Sequence, residues 1–428
     1  MTFFTSISGL NAATQSLTVT SNNLANANTT GFKLSRTEFS DIFSANVSGV
    51  SRTQPGSGVQ VSNVAQQFSQ GSITSTGNNL DLAISGEGFF SLGTESTSSA
   101  PSLYTRAGEF KLDKDGFIVN NQGNFLLVFK PNGTAVADGF STGVFTPVQV
   151  NAEQGSPTAT SEISISANLQ STQTTPVNSP VDPNDTTTYN HVSSLTIYDS
   201  LGNPHTASTY YVAQSPTTPN TFEAFLFIDD VPFNTDGTKA GATGSDSVTI
   251  TFDNTGKLTA PIGNTAYGPI QSTDLDPALN TTDLSLSFDF TGTTQFSSVF
   301  SVNSLDQNGL PSGNLTGISV SDTGVIQANF SNGGSQPLGK VALARFANPQ
   351  GLAKRGDTTF AQSSGSGLPV PGEPGVGTFG TIQSGSVESS NVDISEQLVS
   401  LIIGQQAYQA NAQAISTQST ITQTILNI

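Results

Sequence analysis

Residues 390–418 read SNVDISEQLVSLIIGQQAYQANAQAISTQ. Ile394, Leu398, Leu401, Gln405, Tyr408, Ala412 and Ile415 recur in steps of three and four, the spacing of a heptad helix. The stripe then shifts to Ile421, Ile425 and Ile428. Asp393 followed by Glu396 reads as a capping box that opens this helix. From 397 to 428 there is no Asp, Glu, Lys or Arg.

The opposite end has the same character. Residues 1–32 also carry no charge, and Ile7, Leu10, Thr14, Leu17, Ser21 and Leu24 follow the same steps. The helix is expected to stop near 26–31, where Asn, Thr and Gly favour caps and turns over a helix interior. Neither helix should be stable alone. Thr, Ser and Asn lower its propensity, and no i,i+4 ion pair is available. Each stripe needs a partner, and the other end is the nearest candidate. An ordinary helical pair closing a globular protein would share this pattern.

Between the ends the period changes to two. Ile163, Ile165, Ala167 and Leu169 alternate with polar residues, as do Val248, Ile250 and Phe252, and Leu284, Leu286, Phe288 and Phe290. These read as half-buried strands. Turn pairs such as Asp115-Gly116, Asp236-Gly237 and Asn308-Gly309 punctuate them, most with Asp or Asn within three residues before the Gly. Residues 363–386 are rich in Gly, Ser and Pro, and 173–190 carry Pro176, Pro180 and Pro183, so both read as linkers. The fold class is therefore α+β multidomain: discontinuous terminal helices pairing as a coiled coil, with all-β inner and outer domains between. The expected domains are paired helices at 1–31 and 392–428 and connectors at 32–77 and 361–391. An inner β domain is expected at 78–150 and 286–360, and an outer β domain at 151–285.

Composition narrows function. Charged residues make up 10% of the chain and the net charge is −18, which argues against a nucleic-acid patch or an anionic membrane surface. Most of the surface must then be Ser, Thr, Asn, Gln and Gly, which suits simple solubility or packing against copies of itself. Cysteine is absent, so there is no disulfide framework. The first 17 residues do not read as a cleaved signal peptide, and no 18-residue apolar run suggests a membrane span.

Catalytic and metal motifs are weak. His191 and His205 are the only histidines, assigned to a loop and a turn, with no ligand spacing around them. Residues 111–116, KLDKDG, share Asp113, Asp115 and Gly116 with a calcium loop but lack its first ligand and closing Glu, so a tight hairpin is the better reading. Arg355-Gly356-Asp357 spells an integrin-type tripeptide, a match short enough to arise by chance. No cofactor, metal or catalytic residue is assigned, and the chain is not expected to be an enzyme.

Residues 21–33, SNNLANANTTGFK, resemble the N-terminal signature of the flagellar rod and hook family, and 390–418 resemble its C-terminal signature. NNLDLAISGEGFF (78–90) and YTRAGEFKLDKDGFIVNNQGNFLL (104–127) are similar to the family's first β domain. LTIYDSLGNPHTASTYYV (195–212) looks like the outer domain of hook proteins, and VALARFANPQGL (341–352) like the returning half of the inner domain. One departure is Gln406, where many relatives carry Arg. Rod proteins share the ends but lack the large outer insertion.

The resemblance implies a structural subunit of a hollow helical tube that joins rod to filament as a bendable joint, outside the cell and exported without a cleaved signal. Implied partners are other copies of the chain, the distal rod, hook cap and hook–filament junction proteins, and the flagellar type III export apparatus. No nucleic acid is implied. The candidate polymerisation residues are Leu10, Leu17, Asn22, Asn23, Leu24 and Asn26 on the first helix and Leu398, Leu401, Tyr408, Asn411 and Ile415 on the last. Asp393 and Glu396 form the helix cap, and Gly31 and Phe32 the connector turn. A distal-rod subunit and a β-rich surface adhesin are the alternatives. The adhesin shares the acidic, Thr-rich middle but leaves the two terminal signatures unexplained.

Overall fold

A computed structural model describes residues 2–42, 56–150, 155, 157–240, 246–275 and 281–426. Ile428, placed on the shifted stripe, lies outside the described residues. The chain divides into two units. The first comprises Met1–Asn151, Gly317–Asn329 and Ser335–Ile428, and the second Ala152–Thr316 and Phe330–Gly334.

The first unit contains both terminal helices, Thr2–Ala25 and Ile394–Leu426. Its main sheet interleaves early and late strands. In spatial order these include Ser335–Val341, Phe125–Pro131, Phe89–Gly93, Leu103–Thr105, Thr359–Ala361 and Ala353–Gly356. Phe89, Tyr104, Phe346 and Phe360 pack edge to face beneath it, with Phe68 against them. The connector segments are themselves paired. Ser35–Asp41 forms a hairpin with Val59–Gln66, Thr381–Ser384 pairs with Leu82–Ser85, and Ser386–Glu388 pairs with Ile73–Ser75. The late stretch 363–386, which composition marks as a linker, thus holds strands at Val370–Gly372 and Thr381–Ser384.

The second unit has two sheets around one core. One runs His191–Tyr198, Pro204–Ala213, Thr221–Ile228, Val248–Phe252 and Leu258–Ala260. The other runs Thr265–Ile270, Leu284–Asp289, Glu162–Asn168 and Ser301–Gln307, with Glu162–Asn168 parallel to Leu284–Asp289. The alternating residues Ile163, Ile165, Ile250, Leu286, Phe288 and Phe290 are all buried there, as period-two alternation requires of a two-sheet core. The expected boundary at 285/286 therefore falls inside a strand. Leu284–Asp289 and Ser301–Gln307 both flank Glu162–Asn168, so this unit extends to Thr316.

Four of the Asp/Asn-to-Gly turns share one construction. Asp113, Asn120, Asp199 and Asp253 each accept N–H bonds through Oδ1 from the residues two and four positions on. At Asp253 the following Gly256 has φ +82 and an added Cβ would lie 2.4 Å from the Gln295 carbonyl, so that turn needs glycine. Asp113 is thus occupied by the Asp115 and Phe117 amides as a hairpin turn. Among the described residues no group of three or more metal-ligating side chains converges.

The two histidines lie in strands, not in a loop and a turn. His191 begins His191–Tyr198 and stacks on Phe300 at 4.4 Å; burial pulls its ring below the usual histidine range. His205 lies in Pro204–Ala213, with Nδ1 2.7 Å from Asp229 Oδ2. Arg355-Gly356-Asp357 sits at the exposed tip of the Ala353–Gly356/Thr359–Ala361 hairpin. No helix is long and apolar enough to cross a membrane among the described residues.

Candidate assembly surface

The terminal helices pack antiparallel, and the seam is narrow. Asn23 Nδ2 donates to Gln397 Oε1 at 3.1 Å. An added Cβ on Gly404 would stand 2.9 Å from Leu17 Cδ2, and one on Gly9 would stand 2.6 Å from Asn411 Oδ1. Gln397, Gly404 and Asn411 are seven residues apart, one heptad each. Each helix contributes one glycine, so each backbone approaches a side chain of the other.

The buried side chains are small or polar. On the first helix, which packs against both the last helix and the Ser35–Asp41/Val59–Gln66 pair, Ala12, Ala13, Val19, Thr20 and Asn23 are buried, while Leu10, Leu17 and Leu24 are half-buried. On the last helix Gln397 and Gly404 are buried and Leu401, Asn411 and Ile415 half-buried. Leu398 and Tyr408, placed on the seam by heptad counting, are exposed, as is Asn22; Asn26 is half-buried. The reason is geometric. Leu398 and Tyr408 flank the Gln397–Gly404–Asn411 line, and close approach at the glycines narrows what a single partner helix can cover.

Much of the last helix is therefore uncovered within one chain. Leu398 is 45% exposed, Val399 58%, Ile402 52% and Ile403 59%. Ile421 and Ile425 are exposed near its end, and Phe3 and Phe4 near the start of the first helix. Contiguous exposed apolar surface of this kind marks an interaction site. With no charge on either terminal segment, copies can stack there without like-charge repulsion.

The cap and turn residues anchor these helices. Asp393 Oδ1 accepts the Ser395 and Glu396 N–H groups at 2.8 and 3.2 Å. The return half of the box, from the Glu396 carboxylate to the Asp393 N–H, is not formed among the described residues. Glu396 instead adds negative charge to the first turn, where the helix dipole favours it. Gly31 has φ +68, and an added Cβ would lie 2.4 Å from the Ala107 N, so only glycine fits. Its N–H donates to the Glu388 carbonyl at 2.7 Å. Half-buried Phe32 follows, its N–H donating to the Thr29 carbonyl.

Beneath the turn lies a buried ionic clamp that sequence reading missed. Glu388 is fully buried; its Oε1 accepts from Lys33 Nζ at 2.6 Å and the Gly71 N–H at 2.9 Å, and its Oε2 from Arg106 Nη1 at 3.1 Å. Lys33 Nζ also donates to the Ser69 carbonyl, and Arg106 Nη2 to the Gly86 carbonyl. Burial pulls the Lys33 ammonium below its ordinary value, against the opposing attraction of Glu388. Asn391 adds a second tie: its Oδ1 accepts the Leu34 N–H, and its Nδ2 donates to the Gln67 and Ser69 carbonyls. Asn23 adds a third, exchanging bonds with both backbone groups of Ser35. The available signal was Lys33 closing the 21–33 motif and Glu388 standing alone among uncharged residues 374–392.

The chain is similar to known proteins along its whole length. Four family descriptions match: Flagella basal body rod protein at residues 3–33, Flagellar hook protein FlgE/F/G D1 domain at 83–174, Flagellar basal body protein FlaE D2 domain at 168–310, and Flagellar basal body rod FlgEFG protein C-terminal at 383–428. The flagellar hook protein FlgE of Escherichia coli is 35% identical, with 100% of both chains covered. That of Salmonella typhimurium is 36% identical over 100% of both, and that of Borreliella burgdorferi 30% identical over 99% of this chain and 98% of its own. The crystal structure of Helicobacter pylori flagellar hook protein FlgE2 shares the fold with a TM-score of 0.51, at 15% identity over 74% of this chain and 100% of that one.

Proposed function

Because this chain belongs to the flagellar hook protein family, we propose that its two uncharged ends are the part that builds the polymer. The protein is a structural subunit of the bacterial flagellar hook, a component of the flagellum outside the cell. The carrying observation is the last helix, which packs Gln397 and Gly404 on the first helix and leaves Val399, Ile402 and Ile403 uncovered. Those side chains lose water only when another copy covers them. The β units form the outer part of the wall, and the tube acts as a bendable joint between rod and filament. The chain itself catalyses nothing. It meets the distal rod, hook cap and hook–filament junction proteins at the ends of the polymer and passes through the flagellar export apparatus.

Val399→Asp/Ile403→Asp tests the reading. A carboxylate pair buried between copies is costly, whereas in a single chain it faces water. The variant is expected to stay folded by circular dichroism and form no tubes by electron microscopy. Tubes of wild-type yield would move the polymer contact off this helix face.

A further inference from the structure

The strand Thr221–Ile228 carries apolar residues on both faces. Phe222, Ala224, Leu226 and Ile228 enter the core between the two sheets. Phe225 and Phe227 point the other way, where a two-sheet sandwich ordinarily presents polar side chains to water. On the neighbouring strand Tyr210 and Val212 share that outer face, with Tyr210 4.9 Å from Phe227 and 4.8 Å from Tyr189 between ring centroids. The proline-bearing segment 173–190, read from composition as a linker, lies against this face and covers it in part.

Between segment and sheet runs a groove of 660 Å³, within the range of ligand sites. Phe225, Phe227 and Val212 form its apolar lining on the sheet side, and Pro176 and Pro180 line it from the segment. Asp182, Glu223, Asp230 and Asp246 also line it, and no Lys or Arg does among the described residues. These carboxylates do not converge as a metal site would. Carboxylates spread along the groove suit several separate cations held by charge, with one ring face open to them at half-buried Phe225.

We propose that this groove binds an extended peptide segment bearing Lys or Arg side chains, presented by a partner protein. The inference does not rest on the polymerisation role of the terminal helices. The probe is a fluorescein-labelled tetra-arginine peptide titrated by anisotropy into the full-length monomer. Saturable binding of one peptide per chain is expected, weakened about fivefold by Glu223→Gln/Asp230→Asn. Phe225→Ala is expected to weaken it by a similar factor of about five. Glu95→Gln/Asp306→Asn removes the same charge from exposed positions that do not line the groove and is expected to leave affinity unchanged; circular dichroism checks each fold. Equal weakening by that control pair would reduce the effect to general attraction by a chain of net charge −18. Spermine competing as well as the peptide would make the groove a polyamine site. Self-association of the monomer, abolished by Glu223→Gln/Asp230→Asn, would make the occupant a second copy. Each of these three results overturns the proposal.

Discussion

The ammonium of Lys33 lies 2.6 Å from the carboxylate of Glu388, across 355 residues of chain, with neither side chain exposed. Arg106, just past the strand Leu103–Thr105, completes the group. Three remote segments therefore meet at one carboxylate, each bringing the charge or backbone donor that the others need. Removing the carboxylate leaves two buried cations with no counter-charge, which costs about 3–5 kcal/mol. Glu388→Gln is expected to lower the stability of the first unit by that order, read from the urea midpoint and from hydrogen exchange in Ser386–Glu388. An unchanged midpoint would mean that the ion pairs with Lys33 and Arg106 add nothing to the fold.

The Gly404–Leu17 contact predicts a graded response. An added Cβ meets only the end of a flexible leucine side chain, which can shift. Alanine also favours helix over glycine by about 1 kcal/mol. Gly404→Ala is therefore expected to be close to neutral in assembly yield. Gly404→Phe cannot be accommodated by a shifted leucine and is expected to separate the helices and abolish tubes. If both variants assemble equally, the close approach is not required.

Much of the fold was legible because each signal was local. Period-two runs at Ile163 and Leu286 became core strands, and the uncharged heptad ends became helices. Composition misread residues 363–386, since Gly and Pro mark irregular chain but do not prevent strand pairing where a neighbouring edge such as Leu82–Ser85 is open. Heptad counting placed Leu398 and Tyr408 on the intrachain seam because it selects apolar residues, whereas the seam is set by Gly9 and Gly404. The Lys33–Glu388–Arg106 group was invisible because its members are distant in sequence and no pattern links them.

Acid should weaken the second unit at Asp199. Burial alone would push its carboxyl up. Bonds from the Asn203 side chain and from the Asn203 and Leu201 amides, with His205 nearby, hold it below the ordinary value. A carboxyl depressed in the folded state stabilises above its unfolded value, about pH 4, and that contribution is lost as pH falls through the folded value. Tyrosine fluorescence reads this unit, which holds Tyr189, Tyr198, Tyr210, Tyr211 and Tyr267 of the chain's 7 tyrosines. The urea midpoint of the native chain is expected to fall below pH 4, and that of Asp199→Asn to fall less steeply. Parallel curves would assign the acid loss to other carboxylates.

The terminal helices should be the least protected part of a free subunit and among the most protected in the tube. Their seam buries mainly alanine, glycine and amide side chains, so it recovers little hydrophobic free energy to offset the ordering of 24 and 33 residues. The clamp at Lys33 and Glu388 fixes the helix bases, leaving Phe3, Phe4, Ile421 and Ile425 far along the chain from it and exposed. Hydrogen exchange on the monomer is expected to be slow at Lys33–Ser35 and Ser386–Glu388 and to quicken along each helix with distance from them. In the tube both helices should be protected throughout, with the largest gain around Val399 and Ile403. Leu17→Asp and Leu401→Asp place a charge at half-buried positions and are expected to abolish tubes while the β units keep their protection. Equal protection of both helices in monomer and tube would mean that the intrachain seam suffices, and that assembly orders nothing.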